Sequence, residues 1–93
     1  MLLVHPGRIL KRELAARDLS ANKLALALRL PSSRITEIIN GKRGISPETA
    51  LRLARYFGNS PRFWLNLQTG YELAVVEREI GERISSEVEP AIQ

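Results

Sequence analysis

Apolar side chains recur at helical spacing along most of the chain, and polar punctuation divides them into five segments. Ile9, Leu10 and Leu14 follow Pro6-Gly7 and predict a first helix ending near Asp18, with Glu13 and Arg17 as an i,i+4 pair. Ser20 is an N-cap for a second helix through Leu28, whose Leu24, Ala25 and Leu28 share one face. Pro31 and Ser32-Ser33 signal a new start, and Ile35, Ile38 and Ile39 make a third stripe. Asn40-Gly41 ends it, since both residues tolerate left-handed backbone. The firmest boundaries repeat one device, Ser46-Pro47 and Ser60-Pro61. Each sets a side-chain oxygen at the cap and a proline at N1, where its missing N–H costs nothing. The fourth helix turns Ala50, Leu51, Leu53, Ala54 and Phe57 inward and ends at Gly58. The fifth runs from Pro61 to about Ile80 with Gly70 as a point of kinking, and the sequence from Ser85 onward predicts fraying. No segment alternates with period two. The expectation is an all-α domain of five helices over residues 1–84, followed by a flexible acidic tail over 85–93.

Charge refines this picture once it is divided along the chain. Residues 1–62 hold twelve Lys/Arg and four acids, net +8, while residues 63–93 hold two Arg and six Glu, net −4. A basic body favours a polyanion partner, and an acidic end must point away from it. No apolar run reaches the roughly 20 residues that span a bilayer, and the start lacks a signal-peptide pattern, so a cytoplasmic location is expected. The chain has no cysteine and one histidine, His5, which excludes disulfides and thiolate or histidine-cluster metal sites. No nucleophile with a base, paired carboxylates or phosphate-binding glycine loop is present. Catalysis, a cofactor and a small-molecule substrate are therefore not expected, and His5 before Pro6 reads as a helix cap.

The segment Ala21–Asn40 has the spacing of a helix-turn-helix. Two short helices crossing at about 90 to 120 degrees need a small residue where they touch, and Ala25 sits there. Leu24, Leu28, Leu30, Ile35 and Ile38 supply the shared apolar contact. The outer side of the third helix then carries Ser32, Ser33, Arg34, Thr36 and Glu37, all able to reach base edges: Arg34 suits guanine O6 and N7, Glu37 can accept from cytosine N4. Asn22 and Lys23 open the second helix, and Lys42 and Arg43 lie in the glycine-bounded loop Gly41–Gly44; these four suit phosphate. Each has an ordinary alternative. Ser32 or Ser33 can serve as an N-cap, Arg34 as a solvated charge, Glu37 as the partner of a nearby Lys or Arg, and Lys42 and Arg43 as loop charges. Phe63, Trp64, Leu67 and Tyr71 likewise divide between core and a dimer contact on the fifth helix, because a domain this small has little interior left after four helices.

These residues resemble the helix-turn-helix of lambda-repressor-like (Xre-type) regulators, and the wider pattern resembles the HigA (VapI-type) antitoxins. The resemblance rests on His5–Leu10, Arg34–Ser46 and Thr49–Gln68, and spans about His5 to Glu79. It implies a five-helix lambda-repressor-like domain that dimerises, binds double-stranded operator DNA to repress its own operon, and blocks a ribonuclease toxin of the HigB type. A symmetric pair would set its recognition helices about 34 to 36 Å apart, one turn of the duplex. Two departures stand out. Arg29 occupies a turn position where glycine is common in such motifs, and Ser32-Ser33 replace larger polar readers, so base preference does not transfer. The acidic stretch Glu72–Glu89 suits either a basic toxin or plain solubility. Two other readings remain: a free-standing Xre-type regulator without a toxin, and a protein-interaction module that never meets DNA.

Overall fold

The residues described by the computed structural model are 3–91, and five helices account for most of them: α1 Pro6–Ala16, α2 Ala21–Leu28, α3 Ser32–Ile39, α4 Pro47–Phe57 and α5 Pro61–Glu87. The starts are chemically explicit. His5 Nδ1 accepts from the Gly7 amide at 2.9 Å, so the histidine is the cap of α1. Ser20, Ser46 and Ser60 cap α2, α4 and α5 through their hydroxyls, and Pro6, Pro47 and Pro61 open their helices with a preset φ. α1 ends through Asp18 in left-handed geometry, with the Leu19 amide bonded back to the Leu14 carbonyl at 2.9 Å. Glu13 and Arg17 pair at 3.5 Å, as their spacing implied.

Leu10, Leu14, Leu24, Ala25, Leu28, Ile35, Ile38, Ile45, Ala50, Leu53, Ala54 and Trp64 form one buried cluster. α3 packs on α1 and α2, while α4 packs on α2 and α5. Gly7 sets the closest approach: a Cβ there would collide with the carbonyl oxygen of Ile38, so only glycine lets the start of α1 rest on the end of α3.

Three expectations need correction. Leu51 is 61% exposed, because the buried face of α4 is Thr49, Ala50, Leu53 and Ala54 and Leu51 lies at its edge. Trp64 is wholly buried, donating its indole N–H to Asn59 Oδ1 at 2.9 Å; it is core and has no surface to offer a second subunit. α5 continues through Gly70 and past Ile80 as one helix to Glu87, where Glu87 stands 3.9 Å from Arg83 one turn earlier. Its run of helix-favouring Glu and Arg outweighs Gly70 and Gly81 and meets no proline before Pro90. No helix among the described residues is long and apolar enough to cross a membrane.

Candidate nucleic-acid interface

The two helices of the motif are fixed to each other by their turn. Arg29 adopts φ 59°, ψ 44°, the left-handed region, and the Leu30 amide donates to the Ala25 carbonyl at 2.9 Å, closing α2. This is the position where the family pattern favours glycine, and the arginine accepts the strained geometry instead. The turn directs Ile35 and Ile38 into the core against Leu24, Ala25 and Leu28, with Leu30 half-buried beside them. The opposite side of α3 is thereby left to water.

Pro31 caps α3 without a side-chain hydrogen bond, so Ser32 and Ser33 are the first helical residues rather than caps, and both are exposed. The Thr36 hydroxyl donates to the Ser32 carbonyl at 3.0 Å; its proton is committed to the helix, while the oxygen can still accept. Arg34 is half-buried at the flank. Glu37 takes its ordinary alternative: Oε1 lies 2.7 Å from Arg43 Nε, in a pair that ties the middle of α3 to the loop beyond it. Of the expected readers, the Glu37 carboxylate is therefore already engaged, and Arg43 is held against it. Asn40, read from sequence only as a stop, is exposed about 40 and 60 degrees of helix rotation from Thr36 and Glu37, and joins their face. At eight residues α3 is about 12 Å long, comparable with the width of a major groove.

Groups suited to phosphate flank this face. Asn22 and Lys23 are exposed in the first turn of α2, where the Ser20 hydroxyl already takes the Lys23 amide at 3.1 Å. After α3, Gly41 turns left-handed at φ 76°, the Lys42 amide bonds to the Glu37 carbonyl at 2.8 Å, and Lys42 and Arg43 stand exposed. Arg8, Lys11 and Arg12 of α1 line a shallow surface with Ile39, adding cations that the motif alone did not reveal.

Gln68 holds this loop. Its Oε1 accepts the Ile45 amide at 2.8 Å and its Nε2 donates to Glu72 at 3.0 Å, so a residue of α5 clamps the chain that leaves α3. Gly44 leaves the space: a Cβ there would stand 2.7 Å from Gln68 Nε2. Sequence reading missed this role because the bond joins residues 23 apart. Gln68→Ala should cost about 1 kcal/mol of stability by orphaning a partly buried amide. If the loop grips phosphate, as Lys42 and Arg43 suit it to do, the change should also weaken binding to operator and unrelated duplex alike, by roughly three- to tenfold. Parallel titrations of the two duplexes check this, and a loss confined to the operator would contradict it.

His5 connects the same region. Its ring meets Tyr71 of α5 edge-on with centroids 4.9 Å apart, and partial burial pushes its pKa below the usual histidine value, in keeping with a neutral Nδ1 that accepts a hydrogen bond. Tyr71 and Leu67 are thus largely taken up inside the chain, and of the aromatic set on α5 only Phe63, 43% exposed, presents much surface.

The helix-turn-helix family model (HTH_3) matches residues 10–64, which include every helix of the motif and the loop after it. The structure of a HigA-family addiction-module antidote protein from Coxiella burnetii superposes with a TM-score of 0.96 at 48% identity, covering 98% of this chain and 100% of that one. The chain is a member of the HigA family. The Pseudomonas aeruginosa antitoxin HigA, solved with the higBA promoter, matches this HigA-family protein with a TM-score of 0.94 at 41% identity, covering 98% of this chain and all of that one. Virulence-associated protein I of Dichelobacter nodosus is 50% identical over 80 residues, 85% of this chain and 74% of the relative. The five-helix fold and the family resemblance read from the motif both hold.

Proposed function

We propose that this HigA-family protein is the antitoxin and autorepressor of a toxin-antitoxin pair. In this reading a homodimer sets two copies of α3 in successive major grooves of its own operator, and the protein separately neutralises an mRNA-cleaving toxin of the HigB type. It acts by binding alone, in the cytoplasm. The observation that carries the reading is the exposed polar side of α3 bracketed by cations at the start of α2 and in the loop after α3, on a backbone shared with an antitoxin solved on promoter DNA. Ser33, Thr36 and Arg34 then face base edges, with Ser32 at the helix mouth. Lys42, Lys23 and Asn22 grip phosphate, and the Glu37–Arg43 pair holds the loop in register beside them.

Single substitutions separate reading from gripping. Arg34→Ala should cost about 1 to 3 kcal/mol and relax preference at one operator position, whereas Lys42→Ala should weaken every sequence and reduce the salt slope by about one. With roughly six phosphates neutralised per dimer, the wild-type log-log salt slope should be near −5. A flat salt response would remove the DNA reading. For the toxin arm, co-expression with the product of the adjacent reading frame is expected to rescue growth and to co-purify. Failure of both, with operator binding intact, would leave a free-standing regulator.

A further inference from the structure

The nucleic-acid face does not use all the positive charge of the body. Of the twelve Lys/Arg in residues 1–62 it takes seven, which leaves Arg17, Arg29, Arg52, Arg55 and Arg62. Arg17 and Arg52 are paired, with Glu13 at 3.5 Å and Glu48 at 3.0 Å. Among the described residues no carboxylate lies within 4.0 Å of Arg29, Arg55 or Arg62, and all three are exposed. Two of these three meet at one place. Arg29 and Arg55, with Arg52 between them, rim a groove of about 560 Å³ where the end of α2 meets the outer side of α4, and Leu51 and Tyr56 supply much of its apolar lining. Arg52 builds the wall: its Nη1 donates to the Leu28 carbonyl at 2.9 Å while Nε and Nη2 donate to Glu48, which ties α4 to the last turn of α2.

The fold of the chain itself has little use for these side chains. Leu51 is 61% exposed and Tyr56 43% exposed. Arg29 holds the left-handed backbone of the turn, where glycine would sit without strain, so its side chain is kept against a local cost. The groove also lies about 10 Å along α2 from Asn22 and Lys23, at the end of the helix away from the proposed phosphate contacts. We propose that it binds an acidic segment of a partner protein, which seats an apolar side chain against Leu51 and Tyr56 and sets carboxylates on Arg29 and Arg55. Charge selects this occupant. A guanidinium takes a carboxylate in a two-pronged hydrogen-bonded pair, and an apolar surface laid over it without one would bury the charge unpaired. A duplex would take the arginines and leave the apolar lining uncovered. A second copy meeting the same groove across a two-fold axis would set arginine against arginine.

The probe is a fluorescein-labelled peptide, Glu-Asp-Leu-Glu-Glu-Trp-Leu-Glu-Glu, titrated onto the full-length protein alone and onto its complex with promoter duplex. Anisotropy should rise in both titrations, and the same peptide with Lys at every acidic position should not bind. Amide shifts of the isotope-labelled protein should move at 27–29 and 51–56. Arg55→Glu should weaken the peptide by about tenfold or more, with operator affinity held within about twofold because the groove is remote and screened. Arg29→Gly should raise the melting temperature and still weaken the peptide, a combination that a merely structural arginine would not give. Leu51→Ser, at an exposed site, should keep the fold and lose the anchor. An acidic peptide that does not bind, that shifts other residues, or that binds the Arg55→Glu variant equally well overturns the proposal. Operator affinity that falls in Arg55→Glu as far as in Lys42→Ala gives the groove to DNA, and a changed sedimentation coefficient gives it to a second copy; either overturns it too. Peptide binding by a chain that fails to bind its operator would leave this groove standing and remove the DNA reading.

Discussion

Trp64→Ala is expected to lower stability by about 3 to 5 kcal/mol, the range for deleting a large buried aromatic. The ring has no exposed surface, packs against Phe57 with centroids 5.8 Å apart, and its N–H is the partner of Asn59 Oδ1. The substitution leaves a cavity at the junction of α4 and α5 and strips a side-chain acceptor of its donor. A domain of this length has about 5 to 14 kcal/mol in all, so the variant should lose roughly half its stability or unfold outright. The melting temperature should fall by about 15 to 30 °C. Trp64→Phe, which keeps much of the ring, should cost markedly less. If Trp64 were instead an interface residue, the loss would vanish on dilution of the protein below its dimer constant. Thermal melts over a hundredfold range of concentration distinguish the two, and a loss that is the same at every concentration is the expected result.

Gly7→Ala should be the most damaging single-methyl change in the chain. Overfilling a packed site costs about 1 to 3 kcal/mol when side chains can yield. Here the obstacle is the backbone carbonyl of Ile38, on the last turn of α3, which cannot rotate aside, so the cost should reach or exceed the top of that range. The effect also extends to function. Relief of the collision requires α1 to lift from α3 or α3 to shift, and α3 is the helix proposed to enter the groove. Operator affinity should therefore fall further than the folded fraction accounts for. Chemical denaturation and operator titration on one preparation measure both, and affinity that tracks the folded fraction alone would show that α3 has not moved. Gly70→Ala is the control: nothing lies within 4 Å of a Cβ at Gly70, and the change should be neutral or slightly stabilising.

The local chemistry of this fold was legible from sequence. Ser-Pro pairs, Ser20 and His5 each act through a group two or three residues away, so the cap and its helix can be read in one glance. The Arg29 turn was legible as a departure, because a side chain at that place in the motif forces left-handed geometry on a non-glycine residue. What escaped depends on the third dimension. The Glu37–Arg43 pair closes across a loop whose path only the folded backbone defines. Leu51 and Trp64 both sit on strongly apolar helix faces, and no pattern says which residue at the margin of such a face meets the core and which meets water. α5 was read too short because a sparsely apolar, charged stretch resembles a frayed end as much as a long exposed helix. Its i,i+4 charges and lack of proline before Pro90 favour the helix.

The Gln68 clamp has a consequence for how such regulators diverge. One amide side chain anchors the loop after α3 to the helix that extends away from the body, so a mutation that rotates or bends that helix also drags the loop. In the proposed DNA-bound dimer, grip strength and half-site spacing would then be inherited as a linked trait. A lineage drifting toward a wider or narrower palindrome would have to re-tune both together, and the amino acids at 44 and 68 would be expected to change hand in hand.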